Sequence, residues 1–392
     1  MSTPPTDPLG TRLRKRERRR SFAIFFSVFL AIYALINYYV FARLRAAFPG
    51  NCWFHSFFLP VFIFVAAAFI AGELLEHKRS TIVGRALTWI GAFWLGAMAW
   101  LFLAFALLDL TRLVFGWVGI GWLTGTGATQ ITARAVLIIV GVLLVIGFLN
   151  ARRIHVKALS ISLDKASPRL RIAAISDMHM GSLIGRSMVR QMVRKINSIQ
   201  PDLVLMVGDQ VDGNPHPVMQ LDLGRELNEI KSKYGVFAIT GNHEYLGNAE
   251  TSCAYLEAHG IIMLRDTITE VAGIYLVGRE DIAAKQFANY ERKSLDELLA
   301  SVDHSKPILL LDHTPFHLED AEQHSIDLQL SGHTHHAQLW PFSYITKMVY
   351  EVSWGYKLKS KTHVYVSCGA GTWGPPIRMG NTPEIMDITF GA

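Results

Sequence analysis

An uncharged apolar stretch at residues 21–42, directly after the basic cluster RLRKRERRR, confines the start of this 392-residue chain to lipid. A hydrocarbon core about 30 Å thick needs about 20 helical residues. Residues 57–75 and 86–108 meet that length and residues 135–149 approach it. A cleaved leader is the competing reading of the first stretch. Its apolar run exceeds the usual run of about 7 to 15 residues, and no small-residue cleavage site closes it. Residues 21–150 therefore read as a transmembrane region of about four helices, behind a disordered basic segment at 1–20.

Positive residues sort by side. Arg12 to Arg20, then Lys78, Arg79 and Arg85, then Arg152, Arg153 and Lys157 would share one side, against Arg43, Arg45, Arg112 and Arg134 on the other. The excess is expected to place both the N-terminus and everything after residue 150 in the cytoplasm, with the chain integral to the inner or plasma membrane. The same signal accounts for most of the net charge of +6, so no nucleic-acid partner is expected. Residues 114–132 are uncharged and glycine-rich; they read as an interfacial or re-entrant loop, and a fifth span there would reverse the orientation. Glu73 and Asp109 fall at span ends, leaving no mid-membrane charge to suggest a transport pathway. The three cysteines have no CxxC spacing and imply no disulfide framework.

After a basic connector at 151–169 the pattern changes to strand then helix. Apolar runs at 170–175, 203–207, 236–239, 274–277, 308–311 and 328–330 alternate with helix-like segments near 186–199, 221–232, 249–259 and 294–301. That alternation argues for a layered α/β domain over 170–392. Five of the runs end in metal-binding chemistry: Asp177-Met178-His179, Gly208-Asp209-Gln210-Val211-Asp212, Gly241-Asn242-His243-Glu244, Asp312-His313, and Gly332-His333-Thr334-His335. Each has a bland reading alone, as a cap, a turn or a loop histidine; five at the same strand ends do not. Oxygen and imidazole ligands without thiolates suit two divalent ions, Mn, Fe or Zn. Such a pair clamps a phosphoryl group and acidifies a water, the chemistry of phosphate-ester or anhydride hydrolysis.

The order D-x-H, GDxxD, GNHE, H and GHTH resembles the calcineurin-like metallophosphoesterase superfamily. That resemblance implies a four-layer sandwich of two β-sheets flanked by helices. It also implies Asp177, His179 and His335 on one metal, Asn242, His313 and His333 on the other, and Asp209 bridging them. His243 would be the general acid facing the phosphoryl group, with Glu244 as its partner, and Asp212 would orient the loop. The tail GAGTWGPPIRMGNTPEI and the membrane segment are most like the membrane-anchored branch containing YkuE and YaeI. That branch usually shows GHTHGGQ; here His336 and Ala337 replace the two glycines. Arg378 in the tail is a candidate for gripping substrate phosphate. The aromatic-rich residues 339–356 are expected to lie on the membrane and admit a lipid-linked substrate. A phosphomonoesterase or phosphodiesterase on soluble substrates, and a non-catalytic membrane sensor keeping the fold, are the alternatives.

Overall fold

The computed structural model describes residues 8–48, 52–77, 79–118 and 125–391. Four long helices come first: α1 (Pro8–Ala46), α2 (Cys52–Glu76), α3 (Ile82–Trp117) and α4 (Thr126–Ala151). Each is long and apolar enough to cross a membrane. Residues 8–20, expected to be disordered, are the first turns of α1. Of the glycine-rich stretch read as a loop, residues 114–117 end α3 and residues 126–132 begin α4, while 119–124 lie outside the described residues.

The chain forms two compact units, one of residues 1–66 with 97–141 and the other of 67–96 with 142–392. Within the first unit, Asp109 pairs with Arg43 at 2.7 Å and Arg112 at 3.2 Å and accepts from Tyr39, so its charge is compensated. The second unit contains the last turns of α2, the start of α3, the end of α4 and two six-stranded mixed sheets.

The strands are β1 (His155–Ile161), β2 (Leu170–Ile175), β3 (Leu203–Val207), β4 (Val236–Ile239), β5 (Ile261–Met263), β6 (Thr267–Val271), β7 (Ile274–Gly278), β8 (Ile308–Leu311), β9 (Leu328–Ser331), β10 (Gly355–Lys359), β11 (Thr362–Val366) and β12 (Glu384–Phe390). One sheet runs β1-β12-β2-β3-β4-β5 and the other β10-β11-β9-β8-β7-β6. Alternate residues of β2 explain the layering. Ile172 and Ala174 join the core between the sheets with Leu205, Leu309 and Leu330, whereas Ala173 and Ile175 pack outward on Met188, Met192 and Ile196 of helix α5 (Arg186–Ile199). Leu310 and Val277 do the same on the outer face of the second sheet, against Leu295 and Leu299. Burial on both faces is why these strands read as unbroken apolar runs.

The stretch 151–169, expected to be a connector, carries the edge strand β1, paired in parallel with β12 along its whole length. β1 is exposed at most positions and so gave no apolar signal. Its neighbours in the second unit tie the end of α4 to the tail: the Asn150 amide donates to the carbonyls of Arg378 at 3.0 Å and Asn381 at 2.8 Å.

Candidate metal centre

The ends of β2, β3 and β4 from one sheet and of β8 and β9 from the other deliver the candidate ligands to one place. Five of these residues, Asp177, His179, Asp209, His333 and His335, have φ between 45° and 69°. Left-handed backbone costs a non-glycine residue on the order of 1–2 kcal/mol and persists where the surroundings over-determine it. Glycines make the approach possible. Gly208 has φ +82°, and a methyl there would also collide with the His313 ring; one at Gly332 would collide with Ser176 and Asp177.

Two donor groups result. Asp177, His179 and His335 converge, with the His179 and His335 Nε2 atoms 2.9 Å apart and His335 Nε2 3.3 Å from Asp177. Asp209, His313 and His333 form the other, with His333 Nδ1 2.7 Å from the Asn242 side-chain oxygen. Asp209 lies between them: one oxygen is 3.2 Å from His313 Nε2 and 3.8 Å from His179 Nε2, and the other accepts from the His243 amide at 2.8 Å.

His313 tests whether these residues fit a cation. Its Nδ1 donates to the Val207 carbonyl at 2.7 Å, which leaves a lone pair on Nε2. That atom is fully buried and has no hydrogen-bond partner. With an Asp209 oxygen 3.2 Å away, a positive charge must stand between the two, a proton or a metal ion, and the mixed carboxylate and imidazole donor set fits a metal. Burial alone would raise the Asp209 carboxyl, but His313, His243 and His179 hold it well below the carboxylate range, and against burial Asp209 in turn holds His313 well above the usual histidine value. Burial, then His179 and Arg378, keep His335 well below the usual histidine value and therefore neutral.

Asp212 and Glu244 exchange the parts expected of them. Asp212 Oδ1 accepts from His243 Nδ1 at 3.0 Å and His179 Nδ1 at 3.2 Å, so it fixes both tautomers and turns both Nε2 atoms to the centre. Glu244 does not pair with His243. Its carboxylate takes the backbone N–H groups of Asp209, Val211 and Gly241 at 3.1, 2.9 and 2.8 Å, bracing two ligand loops. Burial, then Asp209, push its pKa up to about 7. Burial pulls His243 down, but Asp209 and Asp212 outweigh it and its pKa is pushed up to about 9.

Arg378 is neither a phosphate grip nor a surface residue: its side chain is 0% exposed. It donates to the Gly371 carbonyl at 2.6 Å and to Asn381 at 2.9 Å, and its Nη2 lies 3.2 Å from His335 Nδ1, so it packs behind a candidate ligand. Arg378→Ala is expected to destabilise the protein by about 3–5 kcal/mol, the scale for breaking a buried charged network. Thermal denaturation with metal titration checks this; an unchanged melting temperature would return Arg378 to the surface.

The residues replacing the family glycines sit where glycine would be at ease, His336 at φ 47° and Ala337 at φ 57°. His336 gains from its position, being buried with Nδ1 3.1 Å from the Ser353 hydroxyl and its ring beside Trp354. Ala337 has no such contact, so Ala337→Gly is expected to stabilise by about 1 kcal/mol, or about 2–4 °C in melting temperature. A lower melting temperature would show that Ala337 is not strained.

Sequence reasoning missed Gln338 and Trp373. The Gln338 side chain donates to the Pro375 carbonyl at 2.5 Å and accepts from the Trp373 amide at 3.1 Å, closing the tail onto the site. Trp373, 57% exposed, stands edge-on to His243 with ring centres 5.7 Å apart. An open cavity of about 450 Å³ lies over the centre, walled by Asn242, His243, Leu246, Leu339, Thr346 and Trp373. Of the aromatic segment, Tyr344, Ile345, Met348 and Val349 are exposed on helix Ser343–Val349. Trp354 and Tyr350 turn inward instead, Trp354 donating to Glu384 at 3.1 Å and Tyr350 stacking on Phe316.

Residues 170–337 match the model of the calcineurin-like phosphoesterase family. An uncharacterized metallophosphoesterase of Helicobacter pylori J99 is 38% identical over 235 residues, 59% of this chain and 63% of the relative. One of Aquifex aeolicus is 34% identical over 56% of this chain and 85% of its own length. A Danio rerio transmembrane protein with metallophosphoesterase domain is 32% identical over 65% of this chain and 61% of its own.

Proposed function

Since this chain belongs to the calcineurin-like metallophosphoesterases, which use a binuclear metal centre, we propose that it is a membrane-anchored hydrolase of a phosphodiester or pyrophosphate bond in a lipid-linked substrate. The observation that carries the hydrolase reading is the convergence of Asp177, His179, Asp209, Asn242, His313, His333 and His335, with the His313 lone pair buried and unpartnered. When bound, two divalent ions would supply positive charge for the phosphoryl oxygens and an acidified water. In this reading Asp177, His179 and His335 would hold one, Asn242, His313 and His333 the other, and Asp209 both.

The chain's own groups do the rest. Asp212 holds the His243 Nδ1 proton and turns Nε2 to the cavity, where a protonated imidazole can hand its proton to the leaving oxygen. Arg378, Glu244 and Gln338 hold the loops at their geometry from behind. Lipid is favoured over soluble substrates because the cavity wall includes Thr346, on the helix whose Tyr344, Ile345, Met348 and Val349 are exposed. Apolar and aromatic side chains of this kind suit the headgroup level of a bilayer. The charge asymmetry of the loops supports a cytoplasmic catalytic domain.

Purified full-length protein with Mn²⁺ is expected to hydrolyse phosphodiester or pyrophosphate lipids in mixed micelles faster than bis(p-nitrophenyl) phosphate. Asp209→Asn serves as the control. Equal turnover by the variant would sink the hydrolase reading, and a preference for soluble esters would remove the lipid.

A further inference from the structure

A second cavity, of about 240 Å³, opens beside His243. His243, Leu246 and Trp373 line both cavities, so the two meet at the candidate acid. The wall of the second is acidic. Asp212 contributes from the loop after β3, and Glu73 and Glu76 come from the last turn of α2, within the same compact unit. Three residues apart, the two glutamates share one helix face. Glu76 is buried and accepts from the hydroxyls of Ser80, at 3.0 Å, and Ser182, while Asn214 anchors its carbonyl at 2.8 Å. Glu73 stands exposed at the mouth without a hydrogen bond or ion pair among the described residues.

Such a wall repels phosphate, so a different part of the substrate must meet it. Thr88 supplies an independent sign: it lines the cavity at 1% exposed, and its hydroxyl has no hydrogen-bond partner among the described residues. A buried hydroxyl left unsatisfied is costly, and a ligand's polar group would recover that cost. The space is that of several heavy atoms, since one water takes about 30 Å³. Phe69 and Trp373 add aromatic rings, which attract organic cations. Position completes the argument, because a general acid must sit beside the oxygen that leaves.

Resting on the phosphoesterase reading, we propose that this cavity receives the leaving alcohol of the diester and selects one that carries an ammonium group, as ethanolamine or an amino sugar does. Glu73 and Glu76 would take the ammonium, and Thr88 would accept from it or donate to a neighbouring oxygen.

The test compares glycerophosphoethanolamine with glycerophosphoglycerol, on full-length protein in detergent. Two readouts are used: kcat/KM with Mn²⁺, and thermal stabilisation of the metal-free protein. The wild type is expected to favour the ammonium diester about tenfold, the scale of one charge-assisted hydrogen bond. Glu73→Gln, at an exposed position, should bring the ratio close to unity, and the near-isosteric Thr88→Val should reduce it. Hydrolysis of both diesters without preference, or a preference untouched by Glu73→Gln, overturns the pocket and leaves the hydrolase standing. Ammonium-selective stabilisation in a protein that turns over neither these diesters nor phosphodiester lipids in mixed micelles supports the pocket and overturns the hydrolase. A third bound metal per chain that Glu73→Gln removes would assign the carboxylates to an inorganic cation and end the proposal.

Discussion

Asp209→Asn is expected to leave the protein folded, bind less than two metals per chain and lose turnover by about 10³-fold or more. The substitution keeps the shape and removes one negative charge that faces both donor groups, 3.2 Å from His313 and 3.8 Å from His179. A unit-charge pair about 4 Å apart at an effective dielectric of about 20 is worth roughly 4 kcal/mol, or about 10³-fold in affinity for an ion. A carboxamide also presents N–H₂ donors to the two imidazole Nε2 lone pairs, where they compete with a cation. The His243 amide can still donate to the remaining carbonyl oxygen at the place where it now meets Asp209 at 2.8 Å, so the loop should hold. Metal analysis, circular dichroism and turnover on one preparation check all three statements. Two tightly bound metals with near-native turnover would mean that Asp209 does not bridge them.

What the sequence revealed follows from where the free energy lies. β2, β3, β4 and β8 were legible to the residue because every position except the exposed Arg171 of β2 is buried and apolar. β1 and β10 were not, being exposed edge strands, and β12 was not because Asp387 interrupts it to pair with Arg171 at 2.8 Å. The candidate ligands follow strand ends, and their convergence was legible for that reason. The partner of His243 was not. Glu244 is its neighbour in sequence, but as N3 of a short helix it turns back to the N-cap backbone, and the aspartate that meets the ring arrives from the β3 loop. Arg378 is charged and follows two prolines, which reads as surface; only the fold shows that Gly371, Asn381 and His335 enclose it. Glu73 was legible as a span's polar end, and Glu76 lies just beyond the stretch read as that span. That they face Asp212 across a cavity depends on packing between segments about 140 residues apart, as the Ser80–Gln220 hydrogen bonds show.

His243→Asn is expected to lower kcat by about 10²- to 10⁴-fold, the range for a lost general acid, while metal content stays at that of the parent. The distinction matters because His243 also lies within reach of a cation, grouped with His179 and Asp209. Its Nδ1 is held by Asp212 at 3.0 Å, and its Nε2 belongs to the side where the two cavities meet. An acid must be protonated to act. Asp209 and Asp212, against burial, push the His243 pKa up to about 9, so the ring carries its proton at neutral pH and loses it as pH rises. Cations drawn to Asp209 weaken the larger of those two contributions, so the loaded enzyme should lose kcat on the alkaline side at a pH below 9. The residual activity of His243→Asn should lack that alkaline limb, because asparagine has no proton to lose there. Leaving groups that need no proton separate the roles again: p-nitrophenolate departs readily as an anion, so the variant should be least impaired on a p-nitrophenyl ester and most impaired on an alkyl diester. Equal impairment on both, together with metal loss matching that of His335→Ala, would make His243 a ligand and remove the acid from the mechanism.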